Sequence, residues 1–367
     1  MSNTFNSLKV LDKINETIDS CSFLLSIPED LKDVYNFTSG QYITVSVNIN
    51  GEEQRRAYSI FTSPSEDKFG FTVKRVDGGK VSNFLIDEVS IGGTLDIMAP
   101  EGKFILEPNV DLSRDHYFIA GGSGITPIMS MIITLLEEEP LSTAYLLYAN
   151  RNENNIIFEK ALNWLTEKYK DQLIVTYILS QPNREKTGGL KGLFSKGKTT
   201  WTGLTGRINK KCLANFLNDN PSKSKNDYFY LCGPGGLIET AEEFLKSKGI
   251  DSSKIKREYF SNAHEQKSGT QTEMSGECTA DVQLNGEKFQ INIPGDKTVL
   301  EALLDQGKDA PYSCTSGACS TCIAKVSKGK VEMDACFALD DDEIEKGFVL
   351  ACQARVKTPE LEINFDA

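Results

Sequence analysis

Three cysteines in one short loop constrain this chain more than any other feature. Pro311-Tyr312-Ser313-Cys314-Thr315-Ser316-Gly317-Ala318-Cys319-Ser320-Thr321-Cys322 sets them as C-x4-C-x2-C, and a fourth, Cys352, follows in Val349-Leu350-Ala351-Cys352-Gln353. Thiolates at this spacing, with the last one distant, suit a [2Fe–2S] cluster, two ligands to each iron. The backbone must then wrap closely and turn N–H groups toward the sulfurs. Gly317 and the small Ser316, Ala318 and Ser320 permit that approach. A structural zinc site would use two short cysteine knuckles, and only one arm fits. Disulfides would need an oxidising compartment, which nothing in the sequence indicates. Cys314, Cys319, Cys322 and Cys352 are therefore the expected metal ligands, and the rest of the chain reads as their electron supply.

The 367 residues leave room for two or three domains. The remaining cysteines, Cys21, Cys212, Cys232, Cys278 and Cys336, are scattered and odd in number, as expected of reduced thiols in a cytoplasm. The first residues hold no apolar signal core, and no apolar run is long enough to cross a bilayer, so no membrane association is expected. A net charge of −12 disfavours nucleic acid as a partner. His116 and His264 are the only histidines, and neither lies near the cysteine loop, which argues against a Rieske-type ligand set.

Residues 1–107 read as β-rich, with alternating runs at 22–27, 42–49 and 69–76 separated by turns such as Asn50-Gly51 and Asp77-Gly78-Gly79. That spacing predicts a small antiparallel barrel. Within it, Arg56-Ala57-Tyr58-Ser59 would place Arg56 and Tyr58 on one face of a strand and Ala57 and Ser59 on the other. An arginine beside a tyrosine suits a pyrophosphate and a stacked heterocycle; it equally suits an ordinary exposed strand. Gly78-Gly79-Lys80-Val81-Ser82 reads as a glycine turn opening a helix, whose N–H groups and Ser82 hydroxyl suit phosphate, or as a hairpin turn before a capped helix.

Residues 108–262 alternate strands and helices, which predicts a parallel sheet covered on both faces. A strand at 116–120 runs into Gly121-Gly122-Ser123-Gly124-Ile125-Thr126-Pro127 and a helix to about 137. This arrangement presents N–H groups to a pyrophosphate, although the G-x-G-x-x-G fingerprint is absent and the glycines also suit plain strand–helix packing. Further helices are expected at 156–169, 210–218 and 237–248, and strands at 143–149, 173–179, 228–232 and 254–259. Leu231-Cys232-Gly233-Pro234 falls at a carboxyl end of the sheet, where ligands bind. Arg151 and Ser180 follow the second and third strands and suit a 2′-phosphate, favouring NADPH with NADH possible; solvated surface residues read the same way. The lysine-rich stretch 183–205 is too long for a compact connection and reads as a mobile loop.

Polar residues 263–276 read as a linker. Residues 277–367 then predict a β-grasp domain, with a hairpin around Asn285-Gly286 and a helix at 299–306 before the cysteine loop. This segment holds 9 Lys+Arg and 17 Asp+Glu, densest at Asp340-Asp341-Asp342-Glu343. Such a face can steer a basic electron acceptor, or simply keep the domain soluble.

The R-x-Y-S and G-x-V-S pair, with G-G-x-G-I-T-P and C-G-P, resembles the ferredoxin–NADP reductase superfamily, and the last segment resembles plant-type ferredoxins. The resemblance covers nearly the whole chain. It implies FAD stacked on Tyr58, with Arg56 on the pyrophosphate, Ala57 alongside and Ser59 near the reactive N5. It further implies FAD phosphate contacts from Lys80, Val81 and Ser82, and dinucleotide contacts from Gly122, Thr126, Gly233 and Pro234. Cys232 would lie beside the nicotinamide, and Glu258 and Phe260 would border the flavin. Ser59, Cys232 and Glu258 are thus the residues expected at the reacting rings, none as a nucleophile, because hydride passes between rings.

The order flavin, nicotinamide, ferredoxin resembles reductase components of oxygenases, of the phenylacetyl-CoA epoxidase type in particular. Tyr148-Ala149-Asn150-Arg151-Asn152-Glu153 with Ile156-Ile157-Phe158 strengthens that likeness. The implied route is NAD(P)H to FAD to [2Fe–2S] to an oxygenase component docking at the acidic ferredoxin domain. Reductases of another oxygenase, a desaturase or a hybrid-cluster protein share this architecture. A redox sensor or electron carrier without turnover is the non-enzymatic alternative.

Overall fold

The computed structural model describes residues 4–185, 198–260 and 277–367. The expected linker 263–276 and most of the lysine-rich stretch lie outside the described residues. Among the described residues no helix is long and apolar enough to cross a membrane.

The N-terminal sheet has six antiparallel strands: β1 (Phe5–Thr17), β2 (Ser20–Ser26), β3 (Tyr42–Ile49), β4 (Glu52–Ser59), β5 (Phe69–Lys74) and β6 (Thr94–Met98), in the order β4-β3-β6-β1-β2-β5. One bridge, Ile60 to Phe71, joins the end of β4 to β5 and closes the sheet into a barrel. Inward residues alternate, so Leu8, Val10, Phe23, Ile43, Val45, Phe71 and Ile97 fill the interior. Gly78 adopts φ +70° and turns the chain into α1 (Lys80–Glu88), which packs Val81 and Leu85 onto that core.

The main sheet of the middle domain is wholly parallel. Its strands are β7 (Asp115–Gly121), β8 (Thr143–Asn150), β9 (Leu173–Leu179), β12 (Leu204–Thr205), β13 (Asp227–Gly233) and β14 (Ile255–Tyr259), in the order β12-β9-β8-β7-β13-β14. A two-strand ladder, β10 (Arg184–Glu185) with β11 (Lys198–Thr199), stands apart from this sheet. Helices α2 (Ile125–Glu138), α3 (Glu159–Lys168), α4 (Lys210–Asp219) and α5 (Gly235–Ser247) connect the strands. The two faces bury separate cores, with Phe118, Leu146 and Tyr148 on one and Tyr117, Leu147 and Leu231 on the other. Near-continuous apolar strands follow from burial on both sides. The helix expected from residue 156 starts only at Glu159, because Phe158 sits in the left-handed region at φ 61°. Ile156, Ile157 and Phe158 are buried in the core instead.

The C-terminal domain holds β15 (Cys278–Leu284), β16 (Glu287–Ile293), α6 (Val299–Asp305), β17 (Ile323–Lys328), β18 (Val331–Met333), α7 (Asp341–Glu345), β19 (Phe348–Leu350), β20 (Ala354–Val356) and β21 (Glu360–Asn364). Its main sheet runs β16-β15-β21-β17-β19, with β15 and β21 parallel at the centre and α6 across it. Asn285 and Gly286, at φ 53° and 79°, make the hairpin turn that Asn-Gly favours.

Candidate functional site

The sheet order of the middle domain reverses between β7 and β13, and the glycine turns that follow these strands interlock there. A Cβ on Gly124 would lie 2.2 Å from the Cys232 carbonyl oxygen, and one on Gly121 would lie 2.7 Å from Pro234 Cδ. Gly122 takes φ +53°, and its carbonyl accepts a hydrogen bond from the Tyr148 hydroxyl at 3.0 Å. Thr126 is buried, and its hydroxyl donates to Ser123 O at 3.0 Å, which fixes the turn. Helices α1, α2 and α5 start from Gly79, Gly124 and Pro234 without a side-chain cap, whereas Asn209 caps α4 and Thr298 caps α6. Oxyanions of a dinucleotide suit such bare N-termini.

Strand register then gathers the residues expected at the reacting rings. Cys232 on β13 pairs with Glu258 on β14, and the Ser59 hydroxyl, at the end of β4, donates to Glu258 Oε2 at 3.5 Å. Burial pushes the Glu258 carboxyl up to about 8, so it is protonated at neutral pH. The residue as a whole stays partly exposed. Burial, and then the nearby Glu258 charge, push the Cys232 thiol well above its ordinary value and keep it protonated. Phe260 packs, half-buried, against the core of the middle domain.

On the barrel wall Tyr58 packs against Phe71 with ring centroids 5.5 Å apart, and Arg56 stays half-buried, donating to Arg55 O at 2.6 Å. Ala57 lies between them, half-buried. Val81 and Ser82 are buried in the first turn of α1; Ser82 Oγ accepts from Val76 N at 3.1 Å and keeps its proton to donate. Lys80 is exposed and pairs with Glu52 at 3.7 Å. A protonated carboxyl and a hydroxyl thus meet at the end of β4, and the same barrel carries an aromatic wall and an uncapped helix; this donor set fits a flavin dinucleotide.

Arg151 and Ser180 sit together at the carboxyl edge of the sheet, both exposed. Backbone bonds from Ser180 N to Asn150 O, 3.0 Å, and from Gln181 N to Arg151 O, 2.7 Å, join their loops. The reading of motifs missed Lys74. It ends β5, pairs with Asp19 at 3.8 Å, and its Nζ lies 3.8 Å from where a Gly122 Cβ would be. The available signal was a lysine closing an otherwise buried strand.

In the ferredoxin-like domain the four expected ligands fall into two thiol pairs. Cys319 N donates to Cys314 Sγ at 3.3 Å and Ser316 N to the same sulfur at 3.4 Å. Hydrogen bonds from Cys319 and from Cys322 hold the Cys314 and Cys352 thiols below their ordinary range. Gln353 Nε2 donates to Cys352 Sγ at 3.7 Å. Among the described residues no three His, Cys, Asp or Glu side chains close on a single ion position. Two pairs, each for one iron, are what a dinuclear cluster takes, so the residues fit it. Gly317 is obligatory: at φ +74°, its Cβ would lie 2.6 Å from Ala335 O.

Comparison with known proteins agrees with this geometry. Residues 7–105 match the oxidoreductase FAD-binding domain family, 118–243 the oxidoreductase NAD-binding domain family and 282–357 the 2Fe-2S iron-sulfur cluster binding domain family. The chain is 33% identical to one of the subunits of 1,2-phenylacetyl-CoA epoxidase from Escherichia coli K12, over 99% of this chain and 98% of that one. It is 32% identical to the ferredoxin reductase component of 3-ketosteroid-9-alpha-monooxygenase from Rhodococcus rhodochrous, over 98% and 96%. The solved phthalate dioxygenase reductase, a modular structure for electron transfer from pyridine nucleotides to [2Fe–2S], superposes with a TM-score of 0.59 at 25% identity over 98% of both chains. Such likeness, end to end through three cofactor domains, means that the chain belongs to the family of flavin and [2Fe–2S] reductase components of oxygenase systems.

Proposed function

We propose that this reductase draws on NADPH and serves an oxygenase component of the phenylacetyl-CoA epoxidase type. The observation that carries the redox assignment is the convergence of Ser59, Glu258 and Cys232 where the barrel meets the interlocked glycine turns. The epoxidase assignment rests on the 33% identity to the Escherichia coli protein. Functional units at 1–107, 108–262 and 277–367, joined by 263–276, suit this division of labour. Cys314 and Cys319 would hold one iron, and Cys322 and Cys352 the other.

When bound, a flavin takes two electrons as hydride and releases them singly to a cluster that accepts one at a time. The chain supplies placement. Arg56, Lys80, Val81 and Ser82 would hold the flavin phosphates, with Ala57 and Tyr58 along the rings. Gly122, Thr126, Gly233 and Pro234 would form the nicotinamide-side wall, with Phe260 closing the cleft. Protonated Glu258 can donate a hydrogen bond from its carboxyl, while Ser59 donates to it. Cys232, neutral and fully enclosed, would back the ring's site from within. Arg151, seconded by Ser180, would receive the 2′-phosphate through its planar guanidinium. The five cysteines outside the ligand set, none of them in a disulfide, support a reducing cytoplasm as the location. The acceptor would meet the acidic surface of the ferredoxin domain, where Asp341, Asp342 and Glu345 are exposed.

Reconstitution tests the proposal. Purified reductase is mixed with an epoxidase oxygenase component and phenylacetyl-CoA, and separately with a 3-ketosteroid-9-alpha-monooxygenase oxygenase component and a 3-ketosteroid. Product formed only in the first mixture, and faster with NADPH than NADH, is expected. Turnover only in the second mixture would move the protein to the other oxygenase class.

A further inference from the structure

The cluster loop is hydrogen-bonded to the barrel side through Tyr42 and Glu101. The Tyr42 hydroxyl lies 2.9 Å from Thr321 Oγ1, and Thr321 Oγ1 donates to Glu101 Oε2 at 3.0 Å. The threonine proton goes to the carboxylate, so the tyrosine donates to the threonine. Tyr42 and Thr321 are both buried. Thr321 stands between the expected ligands Cys319 and Cys322. Tyr42 stands on β3 directly opposite Ser59 on β4. One tyrosine thus spans from the strand beside the flavin cleft to the loop that would carry the cluster.

Its position is fixed from several sides. Tyr42 N donates to Glu101 O at 2.9 Å, and Glu101 N donates back to Tyr42 O at 2.8 Å. The ring packs over Gly102, where a Cβ would lie 3.0 Å from ring carbons. Around this seat, cations of the reductase body meet anions of the ferredoxin domain. Arg55 approaches Asp309 at 4.0 Å, Arg257 approaches Asp340 at 3.5 Å, and Lys103 pairs with Glu343. Arg55 also lies over the Tyr312 ring at 4.4 Å, and Tyr259 packs on Phe337 at 5.1 Å.

We infer that Tyr42 and Thr321 are positioning residues that seat the cluster loop against the flavin-bearing strand for the electron step between those two sites. The inference rests on the reading of the Ser59 cleft as the flavin site. The step moves one electron from reduced flavin to oxidised cluster; each hydride supplies two electrons, so the step occurs twice, with the oxygenase component taking the first electron from the cluster in between, while no heavy-atom bond forms or breaks and protons left on the flavin pass to solvent. The hydroxyl pair touches neither ring nor iron. It acts through the docked geometry, on which the rate of such a transfer depends.

The test uses full-length holoprotein carrying Tyr42→Phe, Thr321→Val or Thr321→Ser. Flavin and iron contents are measured, then flavin and cluster bleaching by NADPH are followed separately in an anaerobic single turnover. Unchanged contents and flavin phase are expected for Tyr42→Phe and Thr321→Val, with a cluster phase about fivefold slower, the scale of one net hydrogen bond. Thr321→Ser keeps the hydroxyl and should restore the rate. Amide exchange across 311–323 should quicken in Tyr42→Phe, a readout independent of electron flow. A cluster phase and exchange pattern unchanged in Tyr42→Phe would overturn the inference. So would a defect confined to Thr321→Val with loss of iron, which would make the hydroxyl a support of the loop alone. Failure of NADPH to bleach the flavin in the unsubstituted protein would count against the proposed function instead, and the exchange measurement would still decide the seat.

Discussion

Glu258 is the side chain whose charge state the fold controls most directly at the site. Its folded pKa, about 8, lies above the ordinary carboxyl value because burial penalises the anion. The folded state therefore holds a proton that the unfolded chain releases between about pH 4.5 and pH 8. Stability from this group is complete at low pH and lost as pH rises through 8. Glu258→Gln should remove that decline, so the melting temperature of the variant should fall less than that of the unsubstituted protein between pH 6 and pH 9. Parallel melting curves would show the carboxyl to be solvated and ordinary. Arg151 is tested by cofactor choice: Arg151→Ala should raise KM for NADPH about tenfold, as loss of a charge-assisted hydrogen bond does, and leave NADH unchanged. An NADH preference unaffected by the substitution would rule out the 2′-phosphate role.

At the scale of elements, β7 and α2 are joined at the end away from the cleft by a buried network. Glu139, fully buried, accepts from Arg114 Nε at 2.8 Å and Asn109 N at 3.1 Å, and lies 3.3 Å from His116 Nε2. Burial alone would raise its pKa, but the hydrogen bonds from Arg114, His116 and Ser142 outweigh it and hold the carboxyl far below its usual range. Burial lowers His116. Both shifts make stability present at neutral pH and lost as pH falls, first through the histidine and then the carboxyl window. Glu139→Gln should cost about 3 kcal/mol at pH 7, because it strands the Arg114 charge, and should flatten the acid limb below the ordinary carboxyl value of 4.5; denaturant titrations at about pH 7 and about pH 3 check this.

Elements were legible where the pattern is local. The cysteine spacing, the Gly121–Gly124 turn and the Asn285-Gly286 hairpin each encode their geometry within a few residues. Strand β1 was not, because bulges between Val10 and Asp12 and between Asn15 and Thr17 break the alternation and leave Leu11 and Ile14 exposed. Nor was the start of α3, where left-handed Phe158 interrupts a helical pattern. Pairings such as Ser59 with Glu258, or Tyr42 with Thr321 across 279 positions, belong to tertiary packing and leave no local mark.

At the scale of the whole molecule, the acidic run 340–343 does more than face solvent. Asp340 and Glu343 pair with Arg257 and Lys103 of the protein's own body, while Asp341 and Asp342 stay exposed. Charge reversal at Lys103 and Arg257 should therefore slow the flavin-to-cluster step at low salt, where the Debye length exceeds about 10 Å, and less so at high salt. Equal rates at all ionic strengths would make these pairs incidental. Separate hydrophobic cores for the barrel and the ferredoxin-like domain lead to a further expectation. Cys319→Ala should abolish cluster loading and leave flavin content and flavin reduction by NADPH close to normal, because each domain is built on its own core. Joint loss of flavin in a folded variant would refute that independence.

The barrel has a seam, and its location matters. Every other neighbouring pair of strands shares a ladder of two or more partners, but β4 meets β5 through the Ile60–Phe71 bridge and the bond from Phe61 N to Gly70 O at 3.0 Å. That stitch directly follows Arg56-Ala57-Tyr58-Ser59. The cylinder is thus least fastened along the line where its ligand would lie, and a flavin bound there would work on it as a hoop works on staves. A chain made without enough flavin would gape there before anywhere else in the barrel, offering 61–68 to proteases, so vitamin supply would govern how long the protein survives as well as how fast it works.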